Sequence, residues 1–381
     1  MNQMPRIEIN LDKIKHNAKV LKHLCEQKGI QITGVVKGVC SNLEIVDVFI
    51  EAGITNLGVS KVDHLEKIRK AKKDTTLTLL RSPGMSEVEK VIRYGNITLT
   101  SELSVIRALS NEANKQNKIH QIIIMVEMGD LREGILPKDL PVFIQEVLTL
   151  KGINIVGIGT NFACFGGVLP TEQKMKEFSH IVRSIQNRFS LTLPYISGGN
   201  SSNLHWLFNT NDIGCINHLR LGESILLGRE TARNNPIPNL YPDAFKFVAE
   251  VIEAKRKPSV PYGTRTTNTF GETIQFKEKG FMNHIIVGVG RQDLHVQGLT
   301  PMKPLKILGA SSDHIILDGK NIRLKPGDEV VFALNYGAML SAMTSPYIHK
   351  NYVYLEGNKN EISSNIYSIY KVEDEKIVQS Q

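Results

Sequence analysis

The stretch Gln31-Ile-Thr-Gly-Val-Val-Lys37-Gly-Val-Cys-Ser-Asn42 predicts a buried strand, a basic side chain at its end and a following helix. Residues 32–36 are apolar and mostly β-branched, as in a buried strand, and Asn42 is a typical helix N-cap. Ligands of parallel α/β proteins bind at the carboxyl ends of strands, where a partly desolvated amine loses its proton more easily. Lys37 is therefore a candidate for covalent or acid–base chemistry. On this stretch alone, a strand-end lysine that merely reaches solvent is the commoner interpretation.

A strand-then-helix rhythm continues outward from this stretch. The predicted strands cover residues 32–36, 56–60, 76–80, 97–99, 121–127, 153–162, 195–200 and 218–221. The count of about eight βα units is what a closed (β/α)8 barrel of the TIM type requires. A doubly wound open sheet is the alternative, and the even spacing favours closure.

The pattern changes near Asn235-Pro-Ile-Pro238, beyond which strands predominate. They are predicted at residues 244–254, 285–290, 306–308, 315–318 and 329–334, with turns between them that include Glu356-Gly357. The sequence thus predicts a barrel domain over residues 11–235. A second, mostly β domain would comprise residues 1–10 and 236–381, and its polar end after Val372 is expected to be loose.

Composition narrows the classes of function. The 381 residues include 46 basic and 38 acidic side chains, for a net charge of +8, but no basic run is interleaved with aromatic residues. This favours solubility or mild attraction for anionic ligands over nucleic-acid binding. The cysteines Cys25, Cys40, Cys164 and Cys215 form no CxxC pair, so we expect no metal site and a reducing, cytoplasmic location. Without a signal core or a long apolar run, no membrane association is expected.

Two stretches of small residues follow the last predicted strands. Ser197-Gly-Gly-Asn-Ser-Ser202 lies between a strand and a helix, and Arg220-Leu-Gly222-Glu223-Ser224 ends the final strand. Small residues let backbone amides approach an anion, although tight βα turns have the same composition. Barrel phosphate sites are frequently built from the loops after the last two strands. Two such turns in these positions favour a ligand that carries phosphate.

Further polar residues are predicted at the same rim. Arg132 follows an apolar strand within Glu127-Met-Gly-Asp-Leu-Arg-Glu-Gly134, where it could hold an oxyanion or pair with Glu127 or Asp130. Asn161 also ends a strand. A lysine, polar strand ends and a phosphate cradle together indicate a phosphorylated aldehyde bound through the amine, which is pyridoxal 5'-phosphate (PLP).

The chain resembles the fold-type III PLP enzymes of the alanine racemase family, and more closely their alanine/ornithine racemase branch. The similarity covers nearly the whole chain, and the order of the motifs is specific where each motif alone is weak. They are Val-Val-Lys37, Glu127-Met-Gly-Asp-Leu-Arg132-Glu-Gly, Gly-Thr-Asn161-Phe-Ala, Ser-Gly-Gly-Asn200-Ser201, Leu-Arg220-Leu-Gly222, Gly-Val-Gly290-Arg291-Gln-Asp293, Ser312-Asp313-His314 and Thr-Ser-Pro-Tyr347. The resemblance implies a barrel with a β domain, a racemase activity, and a homodimer with shared active sites.

The resemblance also implies roles for individual residues. Lys37 matches the lysine that bonds to PLP and acts as a base on one face of the substrate, and Arg132 an arginine near the phenolic oxygen. Arg220 matches the arginine that faces the pyridine nitrogen; because a guanidinium only donates, that nitrogen should stay unprotonated and be a weaker electron sink. Asn161 replaces a histidine that lies against the ring in many relatives. The implied phosphate cradle is Asn200, Ser201, Gly222, the backbone at Glu223, and Tyr352.

The sequence departs from the alanine racemase pattern at the second base. Arg291 stands where the partner subunit of those enzymes supplies a tyrosine, and arginine is a poor general base because its pKa is too high. The second base must come from elsewhere, and the candidates are His295, Tyr347, His314 and Asp293. Met125 replaces a lysine that supports the arginine matched by Arg132. Both changes favour a substrate other than alanine.

Ornithine, or lysine, is the substrate that the resemblance favours. Asp293, Glu133 and Glu223 are candidates to receive the distal ammonium of such a substrate, and Arg291, Ser312 and His314 are further candidate substrate contacts. The alternatives are an alanine racemase, a decarboxylase of the same fold and a PLP-binding protein without turnover. Arg220 opposes the decarboxylase, since such enzymes normally have a glutamate there, and so does the lack of a cysteine in the second domain.

Overall fold

A closed barrel of eight parallel strands forms the first part of the computed structural model, which describes residues 3–355. The strands, in barrel order, are β2 (Gln31–Val35), β3 (Asn56–Val59), β4 (Thr76–Leu79), β5 (Ile97–Thr100), β6 (His120–Met125), β7 (Ile153–Gly159), β8 (Tyr195–Asn200) and β9 (His218–Leu221). The ring closes because β2 pairs in parallel with both β3 and β9. The predicted TIM-type barrel is confirmed, and the open sheet is wrong.

Helices connect the barrel strands. They are α1 (Leu11–Gln27), α2 (Leu43–Glu51), α3 (Val62–Ala71), α4 (Val88–Tyr94), α5 (Leu103–Lys115), α6 (Leu140–Val147), α7 (Glu172–Phe189), α8 (Leu204–Asn209) and α9 (Glu223–Leu227). Asn42 caps α2 as predicted, since its Oδ1 accepts from Ile45 N at 3.2 Å. Gly34 lets α2 approach β2, because a Cβ there would lie 2.5 Å from the Phe49 ring.

An eight-stranded sheet forms most of the second part. It contains β1 (Arg6–Asn10), β10 (Phe245–Pro258), β11 (Phe281–Val287), β12 (Leu299–Pro301), β13 (Lys306–Ala310), β14 (Ile315–Asp318), β15 (Glu329–Leu334) and β16 (His349–Val353). β1 pairs with β10 and with β16, so the start of the chain joins this sheet. The predicted mostly β second domain is confirmed; the expected turn at Glu356-Gly357 and the loose end after Val372 lie outside the described residues.

Neither the short α9 nor α10 (Tyr336–Thr344) was predicted from the sequence, and α10 follows β15. Asn335 caps it by accepting from Ala338 N at 2.9 Å. The helix packs against the short turn that carries Lys37: a Cβ on Gly38 would lie 3.0 Å from the Tyr336 ring. This contact brings the Tyr336 side chain, from the second domain, to the rim of the barrel. No helix among residues 3–355 is both long and apolar enough to cross a membrane.

Candidate active site

A cavity of about 490 Å³ opens at the carboxyl ends of the barrel strands. It is lined by Val35, Lys37, Ser60, Leu80, Arg81, Arg132, Glu133, Asn161, Ala163, Cys164, Asn200, Ser201, Arg220, Gly222, Glu223, Thr231 and Tyr336. Nine of the residues that the sequence singled out lie together here: Lys37, Arg132, Glu133, Asn161, Asn200, Ser201, Arg220, Gly222 and Glu223. Parallel strands bring residues far apart in sequence to one rim because all of their carboxyl ends point the same way.

Lys37 lies half-buried just beyond the end of β2. Burial lowers the pKa of its amine because a low-dielectric surrounding disfavours the charged form. The cations of Arg132 and Arg220 lower this pKa further, whereas Cys164 and Glu133 oppose the shift. The lysine is therefore not a surface group that reaches solvent, and it holds its proton less firmly than an ordinary lysine.

Arg220 is buried in the barrel and has only neutral hydrogen-bond partners among the described residues. Its guanidinium donates to the Thr160 carbonyl at 2.8 Å, to Asn161 Oδ1 at 3.2 Å and, by a short contact, to Ser197 Oγ. Burial, helped by the cation of Arg132, lowers its pKa to about 10. A buried cation without a carboxylate is costly unless a ligand compensates it. Arg220 thus predisposes the cavity to an acceptor or an anion.

A chain of buried polar groups holds Arg220 from behind. Ser197 Oγ lies 2.9 Å from His218 Nδ1, and His218 Nε2 lies 2.8 Å from Thr33 Oγ1. Burial lowers the pKa of His218 to about 3, and the nearby Arg220 cation adds to the shift. The imidazole is therefore neutral near pH 7, so it places no second cation against the guanidinium.

Small residues and backbone amides form the base of the cavity. Ser201 Oγ accepts from the amides of Gly222 at 3.4 Å and Ser224 at 3.3 Å. A Cβ on Gly222 would lie 2.8 Å from the Val35 carbonyl oxygen, so a side chain there would crowd the neighbouring strand. Asn200 Nδ2 donates to Asn161 Oδ1 at 3.0 Å and to the Phe162 carbonyl at 2.8 Å. This arrangement fits a tetrahedral anion that approaches the backbone closely.

Arg132 does not pair with Glu127 or Asp130, the alternative that the sequence left open. Its guanidinium forms short contacts with Glu133 and donates to Cys164 Sγ at 2.6 Å. Asp130 instead accepts from the amides of Cys164 and Phe165, each at 3.1 Å. The loop after β6 and the loop after β7 are thereby tied together at the rim.

Glu223 is the acidic residue of the cavity that no basic side chain contacts within residues 3–355. Its Oε2 accepts from Thr231 Oγ1 at 3.0 Å. Burial raises the pKa of Glu223, and the carboxylate of Glu230 contributes. The other acidic lining residue, Glu133, is neutralised by Arg132. Glu223 is thus available to a cationic group of a ligand.

Five polar residues of the lining were not predicted as site residues: Ser60, Arg81, Cys164, Thr231 and Tyr336. Arg81 is held by Glu87, which accepts at 2.9 and 2.8 Å. Burial raises the pKa of the Tyr336 phenol to about 12. Sequence signals existed for two of them, because Arg81 follows a predicted strand and Tyr336 follows a capping asparagine.

Several predicted site residues lie away from this cavity in the same chain. Arg291, Asp293 and His295 line a separate groove beside the end of α10. Arg291 pairs with Glu272 at 2.9 and 2.7 Å and lies over the Phe270 ring, and Asp293 accepts from Gly290 N at 2.8 Å. Tyr347, Ser312 and His314 do not line the cavity either. Their proposed roles in catalysis and substrate binding therefore require a second copy of the chain.

Tyr352 also lies outside the cavity lining. Its hydroxyl accepts from Asn42 Nδ2 at 2.6 Å, so it contacts the residue that caps α2. The phosphate contact of Tyr352 therefore stays a prediction, whereas Ser201 and Gly222 line the cavity directly. Sequence order alone does not give this difference, because β16 approaches the barrel from the other sheet.

The fold and the cavity define a class: a barrel enzyme with a lysine, a buried arginine and an anion cradle at one rim, followed by a β domain. A family model described as the alanine racemase N-terminal domain matches residues 9–230. The ornithine racemase of Acetoanaerobium sticklandii is 39% identical over 91% of this chain and 99% of its own length. The lysine racemase of Thermotoga maritima is 36% identical over 91% of this chain and 98% of its own.

A solved structure agrees in fold. The alanine racemase of Bartonella henselae, crystallised with covalently bound pyridoxal phosphate, has a TM-score of 0.71 and 18% identity, over 92% of this chain and all of that one. The chain belongs to the alanine racemase family and is an amino-acid racemase. The family and the activity that the resemblance implied are confirmed.

Proposed function

We propose that this racemase interconverts L- and D-ornithine, with lysine as a second substrate, and that it uses PLP. The observation that carries the proposal is that Lys37 and Arg220 line one cavity. Burial lowers the pKa of Lys37, and Arg220 is a buried cation whose partners in the described chain are neutral. The ornithine and lysine racemases that match over most of this chain support the same substrates.

The residues present fit PLP. Basic side chains outnumber acidic ones in the cavity lining, which contains Lys37, Arg81, Arg132 and Arg220 but only Glu133 and Glu223. Arg220 would hold the ring nitrogen as an acceptor, and Ser201 with the amides of Gly222 and Ser224 would hold the phosphate. Bound PLP makes the Cα–H bond of an attached amino acid acidic. Covalently bound pyridoxal phosphate in the Bartonella henselae alanine racemase supports the same cofactor here.

The chain's own residues then perform the proton transfer. Lys37 takes or returns the Cα proton at Nζ on one face of the substrate, and burial lowers the pKa of its amine, which makes the neutral, proton-accepting form easier to reach. Arg220, which can only donate hydrogen bonds, would leave the ring nitrogen of bound PLP unprotonated, and this would limit electron withdrawal and disfavour transamination. A group on the opposite face completes the inversion. Arg220 also opposes the decarboxylase alternative.

Glu223 supports a diamino-acid substrate. It lines the cavity with Lys37, accepts one hydrogen bond from Thr231, and has a pKa raised by burial. An ammonium at the end of an ornithine or lysine side chain would relieve that cost, because an opposite charge favours the ionised carboxyl. Alanine has no such group. Of the three carboxylates considered from sequence, Glu223 is therefore the proposed receptor of the distal ammonium.

We also propose a homodimer in the cytoplasm. Arg291, Asp293 and His295 lie in a groove outside the cavity, so their contribution would require the β domain of a partner. All four cysteines are free, which suits a reducing compartment. Co-expression of Lys37→Ala with Arg291→Ala tests shared sites: a mixed dimer would regain one intact site, whereas separate sites would leave the mixture as inactive as each variant.

The test of activity is incubation with PLP and a panel of L-amino acids in heavy water, followed by analysis of the D-isomer and of deuterium at Cα. D-ornithine with little D-alanine is expected. Glu223→Gln should raise KM for ornithine by about tenfold or more and leave alanine turnover unchanged, which corresponds to about 1.4 kcal/mol of lost charge recognition. Equal effects on both substrates would reject Glu223 as the receptor.

Lys37→Ala provides the control for the cofactor. It should remove the visible absorbance of the covalently bound PLP and all deuterium exchange, whereas Lys28→Ala, at the end of α1, should change neither. Exchange from alanine alone would favour the alanine racemase alternative. Absence of exchange from every amino acid, with the absorbance retained in wild type, would favour a PLP-binding protein without turnover.

A further inference from the structure

Racemisation requires a proton-carrying group on each face of the Cα atom, and Lys37 supplies one. The second must lie close enough to the cavity to exchange a proton directly or through one water. His295, Tyr347, His314 and Asp293, the candidates from sequence, do not line the cavity of their own chain. Within one chain, a second proton-carrying group would therefore come from the side chains that line the cavity.

The acid–base side chains of the lining can be distinguished by their partners. Glu133 is neutralised by Arg132. Burial raises the pKa of Tyr336 to about 12, which leaves little phenolate to act as a base near neutral pH. Glu223 is the proposed receptor of the distal ammonium. Cys164 remains, and cysteine is an established general acid–base residue type.

Cys164 is held at the rim by several independent contacts. Its Sγ accepts from Arg132 Nη1 at 2.6 Å, and its amide donates to Asp130 Oδ1 at 3.1 Å. The preceding Ala163 has a φ of 49°, a region that residues other than glycine rarely adopt. Such strained backbone concentrates at active sites, because the surrounding structure must hold it.

The thiol also faces the same space as Lys37. Both side chains line one cavity, and Cys164 is an exposed, free cysteine in the loop after β7, at the same rim as Lys37. Arg132 donates to that sulfur, so the thiol has a fixed position at the rim. Arg132 would thus contact the substrate region and support the base at the same time.

We propose that Cys164 is the second acid–base residue of this racemase and acts on the Cα face opposite Lys37. The assignment rests on the proposed racemisation at this cavity. In one direction the neutral Lys37 amine takes the Cα proton, and the Cys164 thiol gives its proton to the opposite face, which leaves an ammonium and a thiolate. In the other direction the thiolate takes the Cα proton and the ammonium returns one. Protons balance, and no oxidant or reductant is needed.

The test compares Cys164→Ala and Cys164→Ser with Cys215→Ala, a half-buried cysteine at the far side of the barrel whose Sγ contacts the Ser179 carbonyl. With PLP bound, both Cys164 variants should lose racemisation by about 100-fold or more. One enantiomer of ornithine should still exchange its Cα hydrogen for deuterium with retained configuration, because Lys37 still works. Cys215→Ala should resemble wild type in both assays.

A second readout does not depend on the loaded enzyme. In the protein without cofactor, Cys164 should react with iodoacetamide faster than Cys215, as followed by peptide mass spectrometry. Arg132→Met should slow the reaction at Cys164 and leave Cys215 unchanged, since only Cys164 accepts from that guanidinium. Equal rates at Cys164 in wild type and Arg132→Met would contradict an effect of Arg132 on the reactivity of this thiol.

The outcomes separate this assignment from the proposed function. Racemisation by Cys164→Ala within about threefold of wild type would reject Cys164 as the second base and leave the racemase intact. Loss of exchange from both enantiomers, with PLP absorbance retained, would also reject it, because Lys37 would then have failed as well. Wild-type protein that exchanges no amino acid would reject the proposed function itself.

Discussion

Acidification should destabilise this protein through His218, the buried imidazole behind Arg220. Burial lowers the pKa of His218 from 6.5 to about 3. The unfolded chain therefore binds a proton at a higher pH than the folded chain, and folding stability falls as the pH drops from about 6.5 towards 3. At about 1.4 kcal/mol per pH unit, the loss between about pH 7.5 and pH 5 is about 2 kcal/mol from this residue.

The variant His218→Asn isolates this contribution, because asparagine keeps a polar amide but does not titrate. Urea unfolding at about pH 7.5 and pH 5 should show a pH-dependent loss that is smaller in the variant by about 2 kcal/mol. His205→Gln, which changes an exposed histidine, should lose as much as wild type. Burial also lowers the pKa of His120, to about 4, and because neither variant changes this residue it should contribute the same loss to all three proteins.

The same pH-dependent loss in wild type and His218→Asn would refute this account. It would mean that the imidazole is charged in the folded protein or that unfolding does not expose it. A neutral His218 matters for the site, because its Nδ1 lies 2.9 Å from the Ser197 hydroxyl that Arg220 contacts. A charged imidazole there would repel the guanidinium.

Two further predictions concern the cavity, and a third concerns Arg291 outside it. Burial raises the pKa of Glu223, so the charged carboxylate costs the folded protein stability at high pH. In the protein without ligand, Glu223→Gln should therefore unfold at a higher urea concentration near about pH 7.5, and this gain should shrink as the pH falls towards about 4.5. A gain independent of pH would contradict the raised pKa. Gly222→Ala should weaken PLP binding, measured by absorbance titration, because the added methyl would lie 2.8 Å from the Val35 carbonyl oxygen, whereas Gly309→Ala has open space and should bind normally. Arg291→Ala should raise KM for substrate more than the dissociation constant for PLP, because Arg291 lies outside the cavity; equal losses would be inconsistent with that position.

Local sequence determined the barrel and much of its rim. The strands that it predicted are short apolar runs between helices with apolar faces, and each such segment has few ways to bury its side chains. In α1, for example, Leu11, Ile14, Ala18, Leu21 and Cys25 recur at helical spacing, and all five are buried. Parallel strands in a closed barrel then place Lys37, Asn161 and Arg220 at the same rim, because each follows or ends a strand. This consequence needs no knowledge of side-chain packing.

Tertiary structure alone decided which charges are neutralised. Arg132 pairs with its neighbour Glu133 rather than with Glu127 or Asp130, and Glu223 keeps a hydroxyl as its partner. It also brought Tyr336 to the barrel and kept Tyr352 and Arg291 away from the cavity of their own chain. Such contacts join residues of different strands or different sheets, and their free energies depend on burial and distance in three dimensions. The order of residues along the chain carries neither quantity.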